Sequence, residues 1–421
     1  MRPLYHETWK PSRKKFASQK GKNGKSVEGY TKRQKDRRRD MDVQRKRKGL
    51  ALLFVSALLL LSCDKVDEHG GDEVLAARKG EVNSVPLPSP AAKTTIARAA
   101  VKSTVRRPDE VRITISAAGD VTLGRDENYG YAYSFDEEVK KHGLDYFTKY
   151  IEPIFKKDDF TTVNLETTLT TSTRKANKKF RFRGHPSYAK ILTYGGIDAV
   201  NLANNHTYDY LQQGYKDTIA SLKKENIGYF GRTLRLLKTV KGVQIGALGY
   251  EGWSNTSTLR KQIANDIRML RKQGADLILV HFHWGVERSY VPNSTQKALG
   301  RFAIDSGADL VVGHHPHVVQ GIEEYKGKFI VYSLGNFMFG GNKNPSDKDT
   351  FVFQQVFSFQ NGKRTAKKEI RVIPFRISSV TTRNNYQPMP LTGKEADRVK
   401  RKIVSLSAKI KKPTWTAYEG K

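Results

Sequence analysis

From residue 111 onward the chain alternates short apolar runs with longer amphipathic stretches. Arg112-Ile-Thr-Ile-Ser116 alternates apolar and polar positions, the period of a half-buried strand, and runs into Ala117-Ala-Gly-Asp120. Phe160–Asn164, Ala199–Leu202, Val243–Leu248, Leu277–Val280, Leu310–Val312 and Phe329–Tyr332 predict further strands. Between them, Pro186–Tyr194, Tyr208–Asn226, Thr258–Lys272 and Gln296–Asp305 predict helices; Leu211, Tyr215, Ile219 and Leu222 mark the apolar stripe of the second. Strands alternating with helices make an α/β fold. Phe351–Phe359 and Ile370–Ile377 predict strands with no helix between them, read as an edge or a second sheet. Residues 381–421 are basic and weakly patterned; Lys394–Lys411 predicts one helix and the remainder reads as a loose tail.

Before residue 111 the pattern differs. Residues 1–40 are polar and basic without apolar periodicity, and read as a disordered extension. Met41 then opens a basic segment ending at Lys48, followed by an apolar run from Gly49 to Ser62. A basic region, about 14 apolar residues and a small residue before the break form an export signal, too short for a membrane span of about 20 residues. Met41 is therefore expected to be the translation start. The run ends Leu60-Leu61-Ser62-Cys63. This resembles a lipoprotein lipobox, with Cys63 as the lipidated mature N-terminus; the alternative is an uncleaved anchor. Either places the chain after residue 63 outside the membrane and tethered to it. Residues 64–110, rich in Gly, Ser, Pro, Lys and Asp, read as a flexible linker, leaving 111–380 as the folded domain.

Charge sharpens the picture. The formal net charge is +33, about +13 of it within the first 48 residues. So basic a chain suits polyanionic surroundings. No RNA-recognition signature or zinc finger is present, which argues against nucleic acid. The single cysteine excludes a disulfide framework and a Cys-rich zinc site.

The chemistry gathers at strand ends. Six of ten histidines fall in three short segments. Gly313-His314-His315-Pro316-His317 follows an apolar β-branched run, where a buried strand opens into a loop. Gly119-Asp120, Asn164-Leu165-Glu166, Asn204-Asn205-His206 and His281 to Glu287 occupy equivalent places. Taken singly, each has an ordinary reading: Asp120 as a cap, Glu166 as a rim charge, Asn205-His206 as an Asx turn, His281 as a core histidine. Together, at the converging carboxyl ends of strands, they supply nitrogen and oxygen ligands suited to Mn, Fe or Zn.

These motifs, with Asp120–Arg125 and Ser333-Leu-Gly-Asn-Phe337, resemble in order the motif series of the CapA family. These are capsule-biosynthesis proteins linked to poly-gamma-glutamate and similar to calcineurin-like metallophosphatases. The resemblance covers about residues 112–340. It implies a four-layer αββα sandwich of two mixed β-sheets flanked by helices, and a cleft holding two divalent ions. It assigns Asp120, Asn164, Glu166, Asn205, His283, His315 and His317 to the metals, and His206, with Asp120, to catalysis. Arg125, Asn204, Glu287 and His314 are expected to contact substrate. Two departures stand out: Val121-Thr122 follow Asp120 where metallophosphatases carry Asp-x-His, and Glu166 replaces a bridging Asp.

Two function classes follow. The first is a phosphoesterase-like, metal-dependent hydrolase, acting on an anionic polymer of the poly-gamma-glutamate type or as a stand-alone phosphoesterase. The second is a non-catalytic polymer-binding or export partner of a membrane synthase complex. No Walker loop and no multi-span segment is present, so the chain neither makes nor translocates a polymer alone.

Overall fold

A computed structural model describes residues 110–420. Strands β1 (Glu110–Thr122), β2 (Phe160–Leu165), β3 (Ala199–Asn201) and β4 (Gly228–Phe230) pair in parallel in that order. On its other side β1 pairs antiparallel with β12 (Asp349–Gln360). A second sheet has β6 (Val243–Gly252), β7 (Leu277–Trp284), β8 (Leu310–His314) and β10 (Lys328–Val331) in parallel. Antiparallel β5 (Leu236–Val240) and β9 (Ile322–Tyr325) form its edges. β11 (Asn336–Phe339) joins the free end of β1 in parallel. β12 continues the first sheet through β14 (Glu369–Arg376) to β15 (Met389–Pro390), and β13 (Lys363–Arg364) closes a hairpin on β12.

Three apolar clusters define the layers. Ile113, Ile115, Ile245, Leu277, Leu279, Leu310, Val312 and Phe353 meet between the two sheets. Val163, Val200 and Leu222 pack the outer face of the first sheet against α2 (Ala189–Tyr194) and α3 (Leu211–Lys224), with Phe135 of α1 (Phe135–His142) in the same cluster. Ile278, Val280, Phe282 and Val311 do the same on the second sheet against α4 (Ser257–Lys272) and α5 (Ser294–Asp305). The result is the αββα sandwich expected from the resemblance.

The two-residue period of a strand explains which chemistry faces inward. On β7, Leu277 and Leu279 enter the inter-sheet core, so His281 and His283 share that face. On β8, Leu310 and Val312 do likewise, which turns His314 inward too. On β1 the register slips between Ala117 and Asp120. Such an irregularity re-aims the chain, so Val121 packs outward with the helices while Asp120 faces the other sheet.

The strands after residue 350 extend the first sheet to one of its edges: β12 lies beside β1, with β14 and β15 outermost, and they form no separate sheet. One expectation is corrected. The basic tail expected from residue 381 is packed structure. Asn384 and Tyr386 are buried, and α6 (Gly393–Ala408) buries Val399, Ile403 and Leu406 against the inter-sheet core, followed by Trp415. Ser407 locks this helix in place: its Oγ accepts from the Ile322 N–H at 2.9 Å and from the Trp415 indole at 3.2 Å.

Among the described residues no helix is long and apolar enough to cross a membrane. The extension, the export signal with Cys63, and all but the last residue of the linker lie outside the described residues.

Candidate metal centre

The carboxyl ends of strands from both sheets meet at one point. Parallel register sets Asp120 beside Asn164, and His283 beside His314. Gly119 is required for this approach: a Cβ there would stand 2.1 Å from the Gly335 carbonyl oxygen. The turn after β8 carries His315 at φ +95° and His317 at φ +56°. Both are left-handed conformations that cost a non-glycine residue about 1–3 kcal/mol, the kind of strain found at functional sites.

Glu166 sits at the centre. Its side chain is fully buried, and neither carboxylate oxygen has a hydrogen-bond donor among the described residues. Three imidazole nitrogens surround Oε1: His283 Nε2 at 3.5 Å, His317 Nε2 at 3.8 Å and His206 Nε2 at 3.9 Å. These spacings are too long for hydrogen bonds and leave room for a cation with ligand bonds of about 2.0–2.2 Å. His315 Nδ1 is likewise buried without a partner. Two ligand sets lie within reach of one ion each, Glu166 with His315 and His317, and Asp120 with Glu166 and His283. Glu166 belongs to both. An orphaned buried carboxylate ringed by imidazoles fits a divalent cation of the Mn, Fe or Zn type.

The charges agree with that fit. Burial without a donor pushes Glu166 well above the usual carboxylate range. Burial alone would raise Asp120 too, but the adjacent His314 and His317 hold it well below. His317 responds in kind: burial opposes its charge, yet the Glu166 and Asp120 carboxylates outweigh burial and push it up to about 9. Burial, with His317 nearby, brings His315 down to about 4. Burial, with His315 nearby, holds His283 well below the usual histidine range. Glu166 and His317 together therefore retain a proton at neutral pH, which an incoming cation would displace.

Of the expected ligands, Asp120, Glu166, His283, His315 and His317 converge, and Asn205 Oδ1 lies 2.8 Å from His283 Nε2. Asn164 does not join them. Its oxygen accepts from Asn201 and Asn204 at 2.9 and 3.2 Å. Its amide nitrogen donates to Asp120 at 2.8 Å and lies 3.2 Å from His283 Nδ1. With every valence engaged, Asn164 holds Asp120 and His283 in place and has no lone pair left to offer a cation. Three of the expected substrate contacts are also corrected. Arg125 is consumed by Asp136 at 2.8 Å and by loop carbonyls, including that of Tyr129 at 2.8 Å. Asn204 is buried, and its oxygen closes an Asx turn onto the His206 N–H at 3.0 Å. His314 is fully buried, with its ring stacked on His281 and Nε2 2.9 Å from His281 Nδ1. Only Glu287, exposed beside the cleft, remains placed to meet a ligand.

His206 Nδ1 lies 2.6 Å from Asp209 Oδ2, which fixes the tautomer and turns Nε2 toward Glu166. Burial lowers its proton affinity even against the Asp209 carboxylate. The ring is stacked on Phe182 at 4.1 Å.

Comparison with known proteins decides the family. The profile of the bacterial capsule synthesis protein PGA_cap matches residues 114–341. The chain belongs to the PGA_cap family. It is similar to the capsule biosynthesis protein CapA of Bacillus anthracis, 31% identical over 275 residues, which are 59% of this chain and 65% of that one. It is similar to the PGA biosynthesis protein CapA of Bacillus subtilis (strain 168), 33% identical over 248 residues, covering 54% and 63%. The match thus spans just under two thirds of either relative. A 5′-nucleotidase from Candida albicans SC5314 aligns over 71% of this chain and 57% of its own, with 11% identity and a TM-score of 0.37, too loose a likeness to carry an argument.

This PGA_cap chain also uses residues that the sequence did not single out. Asp209 had a findable signal, an acid three residues past a histidine in a turn. Asn336, whose Oδ1 lies 2.9 Å from His317 Nδ1, belongs to the Ser333–Phe337 motif, where nothing in one dimension points to the histidine it meets. Trp253, edge-on to His283 and His315 at 5.6 and 4.7 Å, had no such signal.

Proposed function

We propose that this PGA_cap protein is a metal-dependent hydrolase of the capsule pathway, acting on poly-gamma-glutamate or a related anionic polymer. The observation that carries the reading is Glu166: a buried carboxylate with no donor, facing three imidazoles, is stable only with a cation beside it or a retained proton. Asp120, Glu166, Asn205, His283, His315 and His317 would hold one or two divalent ions. Such ions polarise an acyl or phosphoryl oxygen and lower the pKa of water at the site. His206, neutral at pH 7 and held through Nδ1 by Asp209, presents Nε2 to the cleft, where it accepts a proton and returns it to a leaving group. Phe182 and Phe339, both buried, pack against the His206 and His317 rings and lower the dielectric around them, which strengthens charge interactions there; the exposed Trp253 stands edge-on to His315.

The test is metal content. The full chain and an Asp120→Ala/His317→Ala variant are stripped, supplied with Mn, Fe or Zn, and assayed by mass spectrometry. Near-stoichiometric metal that the variant loses supports the hydrolase. Two folded proteins that both stay metal-free refute it.

We place the protein outside the membrane, tethered through Cys63 and translated from Met41, where it meets a polymer emerging from a membrane synthase complex. Metabolic labelling with a fatty acid tests the tether. A Cys63→Ala variant that still takes up label excludes it, and N-terminal sequencing checks Met41.

A further inference from the structure

Beside the metal centre lies a cavity of about 160 Å³, whose lining includes His206, His317, Tyr129, Phe180, Phe182 and Phe339. Glu287 and Arg288 also line it. Both are exposed, and neither side chain makes a hydrogen bond or ion pair among the described residues. This is unusual company. Arg125, the arginine expected to receive an anion, is fully engaged with its own loop, whereas Arg288 is free. Arg288 also sits at φ +62°, in the left-handed region that non-glycine residues enter uncommonly. Its N–H donates to the Pro316 carbonyl at 2.7 Å, tying it to the turn that carries His315 and His317. The Glu287 carboxylate is close enough for its field to reach Glu166 and His317.

Two adjacent, unpartnered and opposite charges in one small cavity select a ligand carrying both. A simple polyanion would gain at Arg288 and lose at Glu287. A free amino-acid end, with its ammonium and carboxylate on one carbon, satisfies both, and the aromatic walls suit the methylenes that follow. We propose that this cavity receives the zwitterionic end of a γ-glutamyl chain, with Arg288 pairing the α-carboxylate and Glu287 the α-ammonium. The inference rests on the polymer reading above. It makes the protein a reader of chain ends, with the first amide bond lying toward His206 and His317.

Calorimetric titration of the full chain tests it, with γ-glutamylglutamate, its N-acetyl form and free glutamate as probes, in stripped and Mn-supplied protein. Both side chains are exposed and make no hydrogen bond or ion pair among the described residues, so Arg288→Gln and Glu287→Gln should fold with unchanged Tm. The dipeptide should bind the wild type at least tenfold more tightly than the acetylated form. Glu287→Gln should erase that difference, and Arg288→Gln should weaken both peptides about tenfold or more. Equal binding of the two peptides, an unaffected Arg288→Gln variant, or no binding at all overturns the proposal. Equal affinity for free glutamate assigns the pocket to the amino acid and overturns the chain-end reading. The predicted discrimination in a protein that never cleaves the peptide keeps this inference and sinks the hydrolase; cleavage without discrimination does the reverse.

Discussion

Replacing Glu166 by Gln should move stability in opposite directions with and without metal. In the metal-free protein Glu166 is fully buried and neither oxygen has a donor. Leaving a buried polar group unpaired costs about 1–3 kcal/mol. The sign with pH follows from the raised proton affinity. A carboxyl whose folded pKa lies above its unfolded value favours the folded state fully at acid pH. That contribution fades as pH rises from the unfolded value toward the folded one. As pH rises the wild type therefore bears more of this penalty. Gln keeps the shape, cannot ionise, and offers an amide donor toward imidazole nitrogens that now stand 3.5–3.9 Å away.

Metal-free Glu166→Gln should therefore be more stable by about 1–2 kcal/mol at pH 8, a gain of a few degrees in Tm. Metal reverses the order. An ion at a hundred times its Kd stabilises the wild type by about 2.7 kcal/mol. Glu166 belongs to both ligand sets, so the variant should lose most of that. Scanning calorimetry of the stripped proteins, with and without saturating Mn, reads both effects. A stripped variant less stable than wild type by more than about 1 kcal/mol would mean that Glu166 supports the fold. A variant that keeps the full metal-induced rise in Tm would mean that the carboxylate is no ligand. Either result refutes the reasoning.

Three other outcomes are expected. Mn affinity should rise about tenfold per pH unit between pH 6.5 and 8.5, because His317 holds a proton up to about 9 that the metal must displace; a flat calorimetric profile would contradict a protonated His317. Asp209→Asn should lower the His206 pKa further, since burial then acts without the opposing carboxylate, and should cost about 1–3 kcal/mol because Lys178 and the Phe182 N–H also rely on that group; histidine NMR titration and denaturant unfolding read the two. Arg125→Gln should cost about 1–3 kcal/mol of stability through its lost pairing with Asp136 and the loop carbonyls, yet leave γ-glutamyl peptide affinity unchanged; weaker peptide binding would restore Arg125 as an anion contact.

The convergence of the site was legible because strand period and strand order act together. Leu277 and Leu279 declare the buried face of their strand, and His281 and His283 inherit it by parity. The strand ends then meet because parallel strands share a direction. Which residue at each end is a ligand was not legible, since that depends on what else claims its atoms. Asn164 looks like a metal ligand in one dimension, but Asn201 and Asn204 arrive from another strand and its loop to occupy its oxygen. Arg125 looks like an anion clamp until Asp136 folds back onto it. His314 has the composition of a site residue, yet parity turns it into the core against His281, whose far nitrogen lies 3.2 Å from Thr162 Oγ1.

The same reasoning explains why the end of the chain was misread. Val399, Ile403 and Leu406 recur at helical spacing, so the apolar stripe of α6 is present in the sequence. The helix expected over Lys394–Lys411 is present as α6; what its lysines and arginines hid is that it and the segments around it pack onto the core. In the structure several of those cations pair with the body of the domain: Arg398 with Asp349 at 2.7 Å, and Lys402 with Asp347 and Asp349 at 2.8 Å. The contrast with Arg288 is informative. Most of the arginines and lysines around the fold have a carboxylate or carbonyl to answer them, whereas Arg288 lines the cavity beside the imidazoles and has none among the described residues. Net charge therefore says little about where an anion binds here. Lys190, Lys216, Lys297 and Arg401 also lack a carboxylate or carbonyl partner among the described residues; Arg288 differs from them in lining the cavity beside the imidazoles, so position and not pairing alone marks the place.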